Sequence, residues 1–131
     1  MTYADKLKDP RWQKKRLQIM DRDGFQCQMC FDREETLTVH HKKYIYGKEP
    51  WEYDGKYLIT LCEDCHESVH YWEADYKKHP EKYLLIPIFN NITDLRILVQ
   101  RISNVYQVEG DNAINTIIQL LTAYSIDLKD I

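Results

Sequence analysis

Four cysteines, arranged in two closely spaced pairs, have a clear potential chemistry. Cys27 and Cys30 form one CxxC motif, and Cys62 and Cys65 form a second one further along the chain. Four thiolates complete the tetrahedral coordination of zinc. In a reducing compartment such pairs indicate a metal site before they indicate disulfides. We predict a structural zinc site that joins two distant segments and contributes to the free energy of folding.

Two adjacent histidines, His40 and His41, end a segment that alternates as a β-strand does. His66 follows the last cysteine directly, and His70 lies one helical turn later on the same face. Neighbouring side chains on a strand point to opposite faces. One histidine of the pair can therefore share a second metal with His66, while the other acts as a base on water. Metal-assisted phosphodiester hydrolysis needs these two parts.

These motifs occur in an order that resembles the HNH endonucleases, also called ββα-metal nucleases, in their zinc-stapled form. The resembling segments are CQMC, LTVHHKKY and YLITLCEDCHESVH, and the resemblance covers roughly residues 8–78. It implies a β-hairpin packed on a helix that together hold one catalytic cation. It also implies an endonuclease that hydrolyses DNA phosphodiester bonds with Mg²⁺ or another divalent cation.

The resemblance also implies a role for each histidine. His40 takes the position of a metal ligand, and His41 takes the position of the general base. His66, after the last cysteine, takes the position of the second metal ligand. His70 is either a further ligand or a residue that orients His66. The four cysteines take the structural zinc.

The sequence departs from the family pattern at one position. The family usually has an asparagine just before the second strand, where it helps to fix the loop and the catalytic histidine. Tyr57 occupies that place here, and a tyrosine cannot make the same amide contacts. An alternative function is therefore an HNH-derived zinc-binding protein with weak or no activity that binds nucleic acid or a protein partner.

Basic residues with interleaved aromatics directly follow the histidine pair: Lys42, Lys43, Tyr44, Tyr46, Lys48 and Trp51. We predict that the lysines contact DNA phosphates and that an aromatic residue such as Tyr44 stacks on a base or contacts a sugar. An exposed loop whose aromatics cover the zinc domain would give the same pattern. Lys14, Lys15 and Arg16 could extend this track. Residues 1–48 carry 11 Lys/Arg and 7 Asp/Glu, a net charge of +4, whereas residues 49–131 carry 7 and 14, a net charge of -7. A basic N-terminal part suits a polyanionic partner, although two ordinarily solvated surfaces would give the same pattern.

The predicted fold class is α+β: a small ββα-metal HNH domain preceded by a helix and followed by a helical hairpin. Asp9-Pro10 begins the first helix, which Gly24 ends and in which Trp12, Leu17 and Met20 are predicted to be buried. Strands are predicted near residues 36–41 and 57–62, with a helix over 63–78. The hairpin covers residues 92–128, and Thr93 or Asp94 is predicted to cap its first helix.

We predict two domains, residues 1–80 for the nuclease part and residues 81–131 for the helical extension. The apolar stripes of the extension need to be buried, which packing on the nuclease domain, a homodimer or another partner would achieve. No run of about 18 apolar residues occurs, so no membrane association is expected. The basic N-terminus has no apolar signal core, and we therefore expect a cytoplasmic protein.

Overall fold

The computed structural model describes residues 1–83 and 91–107, in which four helices accompany one two-stranded sheet. The elements in chain order are α1 (Tyr3–Leu7), α2 (Pro10–Arg22), β1 (Leu37–His41), β2 (Leu58–Cys62), α3 (Glu63–Lys78) and α4 (Ile92–Tyr106). The predicted α+β class with a ββα arrangement is confirmed. The chain divides into two compact units, Met1–His70 and one that begins at Tyr71. The predicted domain boundary at residue 80 stays a prediction.

The sheet and the helix that follows it form the ββα part of the first unit. β1 and β2 pair antiparallel, with Leu37 opposite Cys62 and His41 opposite Leu58. Residues 42–57 connect the two strands and contain two short 3₁₀ turns. α3 begins at Glu63, directly after β2. Because β2 leads directly into α3, the spacing between Cys62 at the end of β2 and Cys65, His66 and His70 on α3 is set by the two elements.

Helix α2 begins and ends as its sequence predicts. The Asp9 side chain caps the first turn, and proline follows at the first helical position. At the other end Gly24 has φ of 68°, in the left-handed region that glycine adopts without strain. The Gly24 N–H donates to Asp21 O, and the Phe25 N–H donates to Met20 O at 2.8 Å. This pair of hydrogen bonds is a Schellman motif, which satisfies the last carbonyl groups of the helix.

One prediction for the buried face of α2 was wrong. Trp12 and Met20 are buried as predicted, but the Leu17 side chain is 53 % exposed, and Ile19 takes the expected buried place. With 3.6 residues per turn, positions seven and eight after Trp12 return to the same face, whereas position five does not. One hydrophobic cluster of the first unit contains six buried residues, which are Trp12, Ile19, Met20, Val39, Tyr53 and Leu58.

The free edge of β2 is occupied by polar groups from the end of α2 and the segment after it. The Thr60 N–H donates to the Asp23 carboxylate at 2.9 Å, and the Gln28 N–H donates to Thr60 O at 3.0 Å. Arg22 donates to Leu58 O at 2.8 Å and also binds both carboxylate oxygens of Asp23. Burial would raise the pKa of Asp23, but the Arg22 and Thr60 donors outweigh it and lower that pKa.

We expect that replacing Asp23 with asparagine destabilises the protein by about 1–3 kcal/mol at pH 7, because hydrogen bonds to a charged group are lost. Urea unfolding with equal zinc content measures the change. Asp21→Asn is the matched control, since Asp21 is an exposed residue of the same helix end. A shift of less than about 0.5 kcal/mol in both variants would mean that Asp23 does not hold this edge.

The first helix, α1, was not predicted, although the sequence contains its signal. Thr2 caps it and accepts a hydrogen bond from the Asp5 N–H, while the Asp5 carboxylate binds the Thr2 N–H in return. This reciprocal pair is a capping box, which a Thr followed by an acidic residue three positions later indicates.

Helix α4 belongs to the second unit, and the prediction of its cap was wrong. Asn91, not Thr93 or Asp94, is the cap, and its side chain accepts from the Asp94 N–H at 2.8 Å. Within the same unit, the Arg96 guanidinium lies 3.8 Å from the centroid of the Trp72 ring. The second helix of the predicted hairpin lies outside the described residues.

No helix among the described residues is both long enough and apolar enough to span a bilayer. The described residues give no support for a homodimer through the C-terminal helices. The homodimer and the cytoplasmic location stay predictions.

Candidate functional site

The four cysteines meet at one point between the segment after α2 and the start of α3. Their sulfurs all lie within 4.8 Å of one another. The Sγ atoms of Cys30 and Cys62 are 3.7 Å apart. Two sulfurs bound to one zinc at about 2.3 Å in tetrahedral geometry would be about 3.8 Å apart. The separation therefore suits a shared zinc ion, and the cysteine cluster is compatible with a structural zinc site.

Each CxxC turn also directs a backbone N–H toward a sulfur of its own pair. The Cys30 N–H donates to Cys27 Sγ at 3.5 Å, and the Cys65 N–H donates to Cys62 Sγ at 3.4 Å. Burial, together with neighbouring sulfurs, raises the pKa of Cys62 to about 11 and raises the pKa of Cys65. Clustered thiolates repel one another, and a zinc ion would reverse this effect because coordinated thiols lose their protons.

His40 and His41 occupy opposite sides of β1, as the alternation of a strand requires. His40 is 1 % exposed. Its ring centroid lies 5.1 Å from the ring centroid of His66 and 5.3 Å from that of His70. His41, 5 % exposed, instead stacks on Trp12 with ring centroids 5.0 Å apart. The two histidines therefore have different surroundings, although they are adjacent in the sequence.

His40, His66 and His70 form a cluster, here called the histidine triad. Each offers a ring nitrogen, and these nitrogens all lie within 4.8 Å of one another. His66 Nε2 and His70 Nε2, one helical turn apart on α3, are 2.9 Å apart. Two imidazole nitrogens bound to one cation at about 2.1 Å would be about 3.0–3.4 Å apart. The three histidines could therefore hold one cation between them.

The protonation of His41 is determined by its backbone partner. His41 Nε2 lies 3.2 Å from Pro50 O, and a carbonyl can only accept a hydrogen bond. Nε2 therefore carries the hydrogen, and Nδ1 keeps a lone pair. Burial lowers the pKa of His41, and the nearby His40 lowers it further, against the opposite effect of the Pro50 carbonyl. The imidazole is therefore neutral at pH 7, as a base must be.

Tyr53 connects His41 to the segment between the strands. Its ring edge faces the His41 ring, with centroids 4.7 Å apart, and the side chain is buried. The Ile45 N–H donates to the Tyr53 hydroxyl at 2.9 Å, and that hydroxyl lies 3.4 Å from Ile45 O. Tyr53 thus holds both the loop and one side of His41.

Tyr57 makes a different set of contacts from Tyr53. Its ring packs against the hydrophobic core, and its carbonyl accepts from the Lys42 N–H at 2.7 Å. The side-chain hydrogen bonds to the loop between the strands are thus made by Tyr53. Sequence reasoning missed Tyr53 because it lies in an irregular segment without a motif.

The histidine triad and His41 line a cavity of about 300 Å³, here called the histidine cavity. Tyr3 and Arg16 also line it, so α1 and α2 contribute to its walls. His41 therefore faces the same cavity as the triad, although its ring lies on the other side of β1. Arg16 was among the residues predicted to extend the basic track, whereas the sequence analysis predicted no role for Tyr3.

The predicted DNA-contacting residues do not all lie at this site. Tyr44 lines the histidine cavity, and together with Lys48 it lines an adjoining cavity of about 420 Å³. Lys42 and Lys43 do not line either cavity, although Lys43 is exposed. The contact of these residues with DNA stays a prediction.

Comparison with known families agrees with the sequence motifs. Residues 27–71 match the family model described as HNH endonuclease. The matched segment includes all four cysteines and all members of the histidine triad. The predicted resemblance is therefore confirmed for this segment. No curated protein and no solved structure matched the chain.

Proposed function

We propose that this chain, which carries an HNH endonuclease segment over residues 27–71, is a metal-dependent endonuclease that hydrolyses DNA phosphodiester bonds. The observation that carries the proposal is the convergence of the histidine triad in one cavity with His41. A cation site beside a neutral imidazole supplies the two parts that phosphodiester hydrolysis requires.

We assign the catalytic cation to His40, His66 and His70. When bound, it would stabilise negative charge on the scissile phosphate and on the leaving oxygen. All three protein ligands are imidazole nitrogens, which suit zinc and nickel better than magnesium. We therefore expect transition-metal cations to support cleavage at lower concentration than Mg²⁺ does.

We assign the general base to His41. Its Nδ1 lone pair accepts a proton from the attacking water while Nε2–H remains bonded to the Pro50 carbonyl. The protonated ring then keeps that hydrogen bond, which is stronger when the donor is charged. Trp12 and Tyr53 hold the ring plane by stacking and edge contact. The base therefore needs little reorganisation as the water attacks.

The substrate is assigned from charge and position. Arg16 and Tyr44 line the histidine cavity, and Lys48 lies in the adjoining cavity. We propose that these residues, with Lys42 and Lys43, contact phosphate and sugar groups of DNA. Such contacts position a strand without reading its sequence, so we expect weak sequence specificity.

The experiment that tests this function is plasmid nicking after removal of loosely bound metal, with Mg²⁺, Mn²⁺, Ni²⁺ or Zn²⁺ added back. The native chain should nick DNA only with an added cation. His66→Ala should need a higher cation concentration or show no activity, whereas His79→Ala, a variant of an exposed histidine after α3, should behave like the native chain. Absence of nicking by the zinc-containing native chain with every cation would reject the proposed enzyme.

The second candidate is an HNH-derived zinc-binding protein without significant activity. It is favoured by Tyr57, which occupies the usual place of the asparagine. Against it, the Tyr53 hydroxyl makes hydrogen bonds to the loop, and its ring contacts His41. A comparison of variants at the two tyrosines separates these interpretations.

We expect Tyr53→Phe to lower the free energy of unfolding by about 1–2 kcal/mol, because the Ile45 N–H loses its partner. If Tyr53 also positions His41, kcat should fall about tenfold with little change in KM for DNA, since the loop and the base lose a shared anchor. Chemical unfolding and cleavage kinetics at a temperature where both proteins are folded measure these effects.

Tyr57→Phe is the matched control for Tyr53→Phe, because it removes the same hydroxyl and keeps the ring that packs against the core. We expect its kcat to remain close to the native value. If the control lost as much kcat as Tyr53→Phe did, the positioning role would belong to Tyr57 or to the whole loop.

A further inference from the structure

The cavity of about 420 Å³ beside His41 has a chemistry different from that of the histidine cavity, and it is here called the tyrosine pocket. Three exposed tyrosines line it: Tyr3 is 54 % exposed, Tyr44 62 % and Tyr46 105 %. Isolated exposed aromatic residues are ordinary, but several around one concave surface mark a binding site. Tyr44 also stacks on His41, with ring centroids 6.0 Å apart. The exposed parts of these aromatic rings suit a ligand with flat faces of its own.

The charge of the tyrosine pocket is small. Lys6, Lys48 and Glu49 line it, and Lys6 forms an ion pair with Glu49 at 2.8 Å. Lys48 therefore supplies the remaining net charge of about +1. A carboxylate in the lining disfavours a phosphate group inside the pocket. One cation at the edge would instead bind the backbone phosphate of a nucleotide whose base lies within.

The tyrosine pocket adjoins the proposed reaction site. Its lining shares Tyr3, His41 and Tyr44 with the histidine cavity. A DNA strand whose phosphate lies in the histidine cavity would therefore place its neighbouring nucleotide at the tyrosine pocket. The pocket volume lies in the range of small-molecule sites, which accommodates one nucleotide but not a stack of paired bases.

We propose that the tyrosine pocket binds one unpaired nucleobase of the DNA strand, stacked on its exposed tyrosines, next to the phosphate presented to His41. This inference rests on the proposed nuclease function and adds a substrate preference to it. Extruding a base from a duplex costs about as much as stacking it on an aromatic residue returns. Single-stranded or locally unpaired DNA avoids that cost and is therefore the preferred substrate.

Equilibrium binding tests the inference separately from cleavage. The probes are a fluorescent single-stranded oligothymidine of about twelve nucleotides and a hairpin duplex of similar length, without added divalent cation. The native chain should bind the single strand at least about fivefold more tightly than the duplex. Tyr46→Ala should weaken single-strand binding by about 5–150-fold and leave duplex binding nearly unchanged.

Two further variants determine the cause of the loss. Tyr46→Phe should bind like the native chain, because stacking needs the ring and not the hydroxyl. Tyr71→Ala removes a tyrosine of similar exposure that does not line the tyrosine pocket, and it should also bind like the native chain. Equal affinity of the native chain for both probes, or unchanged binding by Tyr46→Ala, would overturn the inference.

The plasmid assay then separates the two proposals. Nicking by the native chain together with unchanged single-strand binding by Tyr46→Ala would leave the nuclease function standing and reject the pocket. Loss of single-strand binding in Tyr46→Ala, in a native chain that cleaves no DNA with any cation, would retain the pocket and reject the nuclease.

Discussion

Replacing His41 with alanine will lower the rate of DNA cleavage by about 10²–10⁴-fold, which is the contribution typical of a positioned general base. The reason lies in the surroundings of this ring. Its Nε2 is engaged by the Pro50 carbonyl, and Nδ1 is the nitrogen that remains to accept a proton. Single-turnover cleavage with saturating cation measures the loss.

Because His41 is buried against Trp12 and Tyr53, alanine also leaves a cavity. His41→Gln is a second variant. Its polar side chain is closer in size to histidine than alanine is, but it has no nitrogen that can accept a proton. Zinc content and circular dichroism should match those of the native chain. His79→Ala should keep native activity, since that residue is exposed and lies outside the matched segment. Native rates in both His41 variants would mean that another group takes the proton.

We expect that removal of the zinc proposed for the four cysteines abolishes the cooperative fold of the first unit. Zinc bound by cysteine-rich sites contributes apparent free energies of about 10–16 kcal/mol, whereas whole domains are stable by about 5–15 kcal/mol. The four cysteines bring the segment after α2 together with β2 and α3, so these segments would lose their link without the metal. Circular dichroism and thermal unfolding with a thiol-competitive chelator measure the effect.

Metal analysis provides the control for zinc removal. One zinc per chain should resist dialysis, whereas the cation of the histidine triad should be lost to mild chelation, together with activity but without unfolding. Adding a divalent cation should then restore cleavage. A zinc-free chain that still unfolds cooperatively at the native temperature would refute a structural role for the cysteine cluster.

Local spacing predicted which residues lie together within each motif, whereas the meeting of the two CxxC pairs was predicted from a shared zinc ion and the choice of His40 from the resemblance. A CxxC turn brings two sulfurs together, and residues four apart on a helix share a face, as His66 and His70 do. Because successive side chains of a strand point to opposite faces, His40 and His41 likewise lie on opposite sides of β1. These relations depend on a few bonds of backbone, so they remain valid whatever the rest of the chain does.

The surroundings of His41 could not be predicted in the same way. Pro50 and Tyr53 lie in an irregular connection between the strands, where no periodic pattern exists. Tyr3 reaches the cavities only because α1 packs near the start of α2, and α1 was overlooked despite its capping box. Contacts between segments distant along the chain depend on the whole arrangement, which propensity and spacing do not encode.

The polar groups on the edge of β2 have a consequence for association between copies of the chain. An open strand edge is a template for pairing with another molecule, and it is a common origin of aggregation. Here Asp23 and Gln28 occupy the backbone groups of Thr60, and Gln28 lies inside the first CxxC motif. A zinc ion held by the four cysteines would therefore also keep this edge covered. We expect the zinc-free chain to self-associate through exposed strands, at protein concentrations where the zinc-bound chain does not.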